Sequence, residues 1–291
     1  MSIAVIGGIL RVNTYQVPKT PMSGETLITD QLWVRDGGKG SNQSIAIAKQ
    51  GEEVTLLGAV GKDSDGDNCL SSLDCHGIDT SHVIRKDEIT GKKVILKNDS
   101  GGSTSVMFPG ATGALTPDDL PTLYKALEGK KYLLLQFEIP MDLIVPLLRH
   151  CKEEGIITVV NPSPIVQGFN LDYLKYIDYM VLNEIELFFI DPELNQQYDE
   201  REICRKIVDH GCKNVVLTFN QKDSYFYNGK EFVTIESDGV NRKEYLFSID
   251  FFVGAFTAGI AQGKTPVEAI KEADEALKIL KEQRNFHELN D

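Results

Sequence analysis

The sequence predicts an α/β fold: a doubly wound, mainly parallel sheet with helices on both faces, and two extended segments outside it that form either a small sheet or surface hairpins. Three observations carry this. Short apolar, β-branched runs alternate with helical periodicity along most of the 291 residues. Several of those runs are apolar throughout, as parallel strands covered on both faces are. Two segments, 11–35 and 82–109, break the rhythm with extended, turn-rich patterns. Nothing resembling a linker separates two comparable halves, so residues 1–291 are expected to form one domain with right-handed crossovers.

The elements follow in order. Ile3–Ile6 reads as a first strand and not as a signal peptide, because no basic leader or small-residue cleavage site accompanies it. Further strands are expected at Val54–Gly58, Tyr132–Gln136, Ile157–Val160, Tyr179–Leu182 and Val215–Phe219. Helices are expected at Ser41–Gln50, Pro117–Leu127, Met141–Glu154, Glu200–His210 and Phe251–Gln262. Thr265-Pro266-Val267-Glu268 forms a capping box with proline at the first helical position, so a last helix starts there. Between these elements, 11–35 carries a turn at Met22-Ser23-Gly24, and 82–109 folds back through Asn98-Asp99-Ser100-Gly101-Gly102.

Bulk properties bound the function. A net charge of −13 opposes a general nucleic-acid or anionic-membrane surface, though not a small anionic substrate in a local cationic pocket. The five cysteines have no Cys-x-x-Cys spacing and read as free thiols of a reducing compartment. The five histidines show no ligand spacing, and no apolar run approaches membrane-spanning length. A cytoplasmic protein is expected.

Four places carry candidate chemistry. Asp36-Gly37-Gly38-Lys39-Gly40-Ser41-Asn42-Gln43 is either a ligand loop feeding a helix N-terminus or simply a glycine-rich turn. Asp250 stands at a helix start, as a functional carboxylate or as an N-cap. Glu138 follows an apolar strand, at the sheet edge where open α/β sheets bind ligands, or as a solvated carboxylate. Asn183 and Glu186 bracket the start of another helix, as ligands or as a capped first turn.

Gly37-Gly38-Lys39-Gly40-Ser41-Asn42-Gln43, Asn161-Pro162-Ser163-Pro164, Asn183-Glu184-Ile185-Glu186 and Asp250-Phe251-Phe252-Val253-Gly254-Ala255-Phe256 together resemble the ribokinase (PfkB) family of carbohydrate kinases. The resemblance covers nearly the whole chain. It implies a ribokinase-like three-layer α/β/α sandwich with a small β-sheet lid built from 11–35 and 82–109. It also implies ATP-dependent transfer of a γ-phosphate to a hydroxyl of a small sugar. Asp250 would be the general base, and Gly38, Lys39, Asn42 and Glu138 would bind the sugar. Asn183, Thr218, Ser248 and Ile249 would serve the nucleotide, and Glu186 the water shell of Mg²⁺. A monovalent cation such as K⁺ belongs to the same picture. Lids of the family often pair between subunits. A homodimer is therefore expected, with Leu27, Ile28, Leu32, Trp33, Val94, Leu96 and Val106 supplying the apolar face.

The chain departs from the family pattern at defined positions. Glu244-Tyr245-Leu246-Phe247-Ser248-Ile249 stands where the family has Asp-Thr-Thr-Gly-Ala-Gly. The side chains there limit how closely a phosphate can approach the backbone amides, and the cation segment is altered with them. Leu10 and Val12 replace Asn and Asp that contact sugar hydroxyls. Asn220-Gln221-Lys222-Asp223 and Glu282–His287 replace the nucleotide loops. Two rival functions follow: a catalytically impaired relative that binds a sugar, a sugar phosphate or a protein partner, and a nucleoside kinase whose acceptor is less hydroxylated.

Overall fold

The structure is a computed structural model. It describes residues 3–164, 170–184, 186–187, 199–219, 223–236 and 248–288, with side chains up to 280.

Strand β1 (Ile3–Ile6) lies inside the main sheet. The chain leaves that sheet through β2 (Leu10–Val17) and β3 (Leu32–Gly37) and returns along helix α1 (Lys39–Lys49). It re-enters as β4 (Val54–Gly61), parallel to β1. Helix α2 (Ser64–Cys75) leads to β5 (Val83–Lys86), which pairs parallel with β4. Strands β6 (Gly91–Asn98) and β7 (Ser103–Phe108) then leave the main sheet again. After α3 (Gly110–Gly113) and α4 (Leu120–Leu127), β8 (Tyr132–Gln136) joins β1 on its other side. Helix α5 (Met141–Glu154), β9 (Ile157–Asn161), β10 (Tyr179–Asn183), α6 (Glu200–Asp209) and β11 (Asn214–Thr218) continue outward in parallel. Strands β12 (Ser224–Tyr227) and β13 (Phe232–Ile235) close the edge antiparallel. Helices α7 (Ser248–Ala261) and α8 (Pro266–Glu288) end the described chain.

The main sheet runs β13-β12-β11-β10-β9-β8-β1-β4-β5, and the small sheet runs β3-β2-β6-β7. Alternation along each strand builds two cores. Ala4 and Ile6 join Leu143, Leu147 and Ile207 on one face, while Ile3 and Val5 join Ile47, Phe252, Phe256 and Ile270 on the other. Polar side chains fix the helix starts: Asp63 accepts from the Gly66 amide and Asp199 from the Glu202 amide. The box at Thr265 and Glu268 forms as expected, each side chain bonding the other's amide. Helix α5 ends at Gly155, whose φ of 71° suits a residue without Cβ.

The differences from expectation are local. Helix α1 begins at Lys39, two residues before Ser41. Residues Pro117–Asp119 form a 3₁₀ turn ahead of α4. The small sheet takes residues 10–17, 32–37, 91–98 and 103–108. Val83–Lys86, expected within 82–109 to belong to it, instead lies on the edge of the main sheet, held by β4.

Strand order reverses beside β1: β4 lies on one side and β8, much later in sequence, on the other. The crevice at the C-terminal ends of β1 and β8 is therefore the place where an open α/β sheet receives a ligand.

Candidate functional site

Three backbone segments interlock at that crevice. Gly7-Gly8 follows β1, Phe137-Glu138 follows β8, and α1 starts after Gly38. Gly38 has φ 96°, and a Cβ there would lie 2.3 Å from the Gly8 carbonyl oxygen. A Cβ on Gly8 would lie 2.2 Å from Glu138 Oε2. These glycines thus let protein segments approach each other rather than holding open space for a ligand. The Lys39 amide donates to Glu138 Oε2 at 2.6 Å, so the protein's own carboxylate occupies the amide end of α1.

Lys39 and Asp250 form the centre of the site. Lys39 Nζ bonds Asp250 Oδ1 at 2.9 Å, and Asn42 Nδ2 donates to Asp250 Oδ2 at 2.8 Å. Asp250 lies in the first described turn of α7, and its side chain crosses to α1 instead of capping its own helix. Burial pushes the Asp250 carboxyl up, but the Lys39 ammonium and the Asn42 amide outweigh it and hold the group below the ordinary aspartate value. Burial pushes Lys39 down, yet Asp250, Glu186 and Glu138 together hold it above the ordinary lysine value. Glu138 and Glu186 lie above the ordinary glutamate value, because burial outweighs the Lys39 charge. The environments therefore separate one firmly ionised carboxylate from two that take up protons more readily, the pattern by which neighbouring acids acquire different roles.

A buried amide chain supports this centre. Gln136 Nε2 donates to Gln43 Oε1, Gln43 Nε2 to Asn161 Oδ1 at 3.4 Å, and Asn161 Nδ2 to the Val181 carbonyl at 3.1 Å. Ser163 and Asn161 bond Glu186 in turn. Sequence reasoning missed Gln136. Its signal was a lone amide at the end of the apolar run Leu133-Leu134-Leu135. Asn183 and Glu186 cap each other: the Asn183 amide donates to Glu186 Oε2 at 2.8 Å, and the Glu186 amide to Asn183 Oδ1 at 3.1 Å. The capped helix start is thus real, and Glu186 also lies in the field of Lys39.

Gly38, Lys39, Asn42, Glu138, Glu186 and Asp250 therefore converge. Asn183 and Thr218 are register partners at the ends of β10 and β11, and the Thr218 hydroxyl donates to the Leu182 carbonyl at 3.3 Å. Ser248 is buried and Ile249 half-buried, immediately before Asp250. Phe247, Asn220, Gln221, Lys222 and the Glu244–Leu246 stretch lie outside the described residues. Among the described residues no group of three or more His, Cys, Asp or Glu side chains is arranged to hold a metal. A single buried Glu186 instead suits Mg²⁺ held through water and substrate phosphates.

The chain is similar to known proteins over nearly its whole length. The model of the pfkB family carbohydrate kinases matches residues 2–280. A deoxyribokinase from Salmonella typhi is 29% identical over 276 residues, covering 94% of this chain and 90% of its own. The solved ribokinase of Thermotoga maritima superposes with a TM-score of 0.86 at 27% identity, over 95% of this chain and 91% of its own. A ribokinase of Cryptococcus neoformans var. grubii serotype A, in complex with ADP, gives 0.78 at 27% identity, over 97% and 99%. The fold is the expected ribokinase-like α/β sandwich with its small sheet.

Proposed function

The chain belongs to the pfkB family of carbohydrate kinases, and from that premise we propose that it is an ATP-dependent kinase of a small sugar, with Asp250 as its base. The observation that carries the residue assignment is the buried contact of Asp250 with Lys39 and Asn42, at the strand edge that also holds Glu138. In the reaction the acceptor oxygen bonds to the γ-phosphorus and the bond from that phosphorus to the bridging oxygen breaks. ADP leaves and the hydroxyl proton passes to Asp250. Lys39 and Asn42 hold the carboxylate ionised and oriented, so the chain's contribution is mostly positioning and charge. Asn183, Thr218 and the amides of Ser248 and Ile249 are assigned to the nucleotide. ATP use rests on likeness to the ADP-bound ribokinase. Glu186 would hold Mg²⁺ through water, and the ion would supply charge neutralisation on the phosphates.

Side chains at Ser248 and Ile249 crowd the amides that would receive the phosphate, so slow turnover belongs to the proposal. Release of ADP, followed over a panel of sugars and nucleosides with Mg²⁺ and K⁺ present, tests it. Turnover of a sugar is the expected result. Turnover of nucleosides alone would favour the nucleoside-kinase alternative, and saturable sugar binding without any ADP would favour an impaired relative.

The assembly is a homodimer through the small sheet. Asn13 pairs with both Val34 and Val94, and Val94 with Val106, so three valines form one row on one face. All three are exposed, Val106 by 73%. Trp33 pairs with Thr14, one position along, and lies on the opposite face. A four-stranded sheet with a bare apolar face gains by covering it with a second copy. Light scattering is expected to give twice 32.3 kDa, and Val106→Asp to halve it. A wild-type mass of one chain would reject the dimer. Among the described residues no helix is long and apolar enough to cross a membrane, and the five free cysteines suit the cytoplasm proposed for the protein.

A further inference from the structure

Helix α1 makes two different attachments from one face. Lys39 and Asn42 hold Asp250, and Gln43, next along the same face, turns into the protein. Three elements meet at Gln43. A Cβ on Gly254, one turn beyond Asp250 on α7, would lie 2.5 Å from the Gln43 carbonyl oxygen, so α7 rests on α1 there. Gln136 and Asn161 are register partners at the ends of β8 and β9, on the face of Leu134 and Val159 that α1 covers. The Gln43 side chain spans the two strands, accepting from Gln136 Nε2 and donating to Asn161 Oδ1. All three amides are 0% exposed.

The direction of these bonds is imposed from the far end. The Val181 carbonyl and an ionised Glu186 carboxylate can only accept. Asn161 bonds both, so its NH₂ faces them and its Oδ1 faces Gln43. Gln43 must then give its own NH₂ to Asn161 and turn Oε1 to Gln136. What is left over is Gln136 Oε1, a buried acceptor without a partner among the described residues. The unsatisfied group is thus kept away from Glu186. That carboxylate receives a donor of fixed orientation from Asn161, beside its bonds to Ser163 and the Asn183 amide. Without the Gln43 amide, Asn161 Oδ1 would be a buried acceptor with no donor. Turning the Asn161 amide to find one would withdraw its NH₂ from Glu186.

We propose that Gln43 is a positioning residue for the metal side of the site: through Asn161 it fixes the Glu186 carboxylate against the helix that holds Asp250. Gln43 is fully buried, so it acts through Asn161 and not on a ligand. The proposal rests on the kinase reading for the Mg²⁺ that Glu186 would hold through water. Groups that orient a metal's carboxylate from behind commonly set metal affinity by about tenfold or more.

Calorimetric titration of ADP with and without Mg²⁺, no sugar present, tests it by measuring how much the metal adds to nucleotide affinity. Gln43→Met removes both side-chain bonds but keeps a straight side chain of similar length. It should cut the Mg²⁺-dependent gain about tenfold. Gln136→Met deletes a neighbouring amide of equal burial and leaves the bond from Gln43 to Asn161, so it should change the gain by about threefold or less. In a Glu186→Gln background, Gln43→Met should add about twofold or less, because its effect runs through that carboxylate. Gln43→Asn keeps an amide one methylene too short to span both strands. It should lower the gain about threefold or more, and it carries the test if the methionine variant does not fold. Melting temperatures of all variants are read beside the titrations. A wild type whose ADP affinity ignores Mg²⁺, an unchanged gain in the Gln43 variants, or equal losses in Gln43→Met and Gln136→Met would overturn the proposal. So would a full further loss in the Glu186→Gln background. ADP release is read separately. Absence of turnover, beside an Mg²⁺ gain that Gln43→Met lowers and Gln136→Met does not, supports the positioning of Glu186 and defeats only the kinase reading.

Discussion

Replacing Lys39 by methionine is expected to cost the fold about 3–5 kcal/mol, because it leaves buried carboxylates without their cation. Three acids depend on this ammonium: Asp250 through an ion pair at 2.9 Å, and Glu138 and Glu186 through its field. The pH dependence gives the prediction a sign. In the wild type, Asp250 has a depressed folded value, so its contribution is present above the ordinary aspartate range and lost as pH falls through the folded value. Glu138 and Glu186 have raised folded values, so they oppose folding increasingly as pH rises past the ordinary glutamate range. Lys39 has a raised folded value, and its contribution is lost only as pH climbs beyond the ordinary lysine range. Between about pH 5 and about pH 7 that contribution is constant. Without Lys39, each carboxyl loses its largest opposing charge and rises, Asp250 despite the Asn42 bond that remains, and each then binds more protons on folding than in the wild type. The variant should therefore gain stability relative to the wild type as pH falls from about 7 to about 5. Urea denaturation of both proteins at the two pH values measures this. A stability gap that stays constant or widens at the lower pH would show that the three acids do not share Lys39.

The same cluster shows how much of the molecule was legible in the sequence. The central strands were readable because β1, β4, β8, β9, β10 and β11 are buried on both faces along most of their length. The apolar runs at Ile3–Ile6 and Tyr132–Gln136 therefore have no other reading. Lys39, Asn42, Glu138 and Asp250 were readable as candidates, since each sits beside a helix start or a strand end. Their mutual geometry was not. Nothing local links Lys39 to Asp250 across 211 positions, and only the sheet topology brings α1 under α7. The glycine loop read equally as a ligand loop or as a plain turn, because only the fold shows that a Cβ at Gly38 would meet Gly8 and one at Gly8 would meet Glu138. Val83–Lys86 was grouped with the small sheet because a short polar strand carries no mark of the sheet it joins.

Asp250→Asn is expected to lower kcat by about 10²-fold or more, the usual contribution of a positioned general base. The substitution keeps the size of the side chain but not its bonding. A carboxylate accepts from Lys39 on one oxygen and Asn42 on the other; an amide has a single acceptor oxygen and must turn its NH₂ toward one of these two donors. Some stability is therefore lost as well, though less than for Lys39→Met, because Lys39 remains in the field of Glu138 and Glu186. A fall in melting temperature alone cannot imitate the catalytic effect if rates are measured well below the transition. The pH profile distinguishes the two roles further. Asp250 lies below the ordinary aspartate value, so it is already ionised across the neutral range and by itself imposes no acid-side decline of wild-type kcat there; an acid-side fall in that range would report Glu138 or Glu186, whose values are raised, and not Asp250. In the variant the loss should be the same at every pH in that range, since no protonation can restore the missing base. The measurement is kcat for wild type and variant with one saturating acceptor, at several pH values, beside their melting curves. A variant that turns over within tenfold of the wild type would remove Asp250 as proton acceptor and leave its ion pair with Lys39 as a purely structural contact.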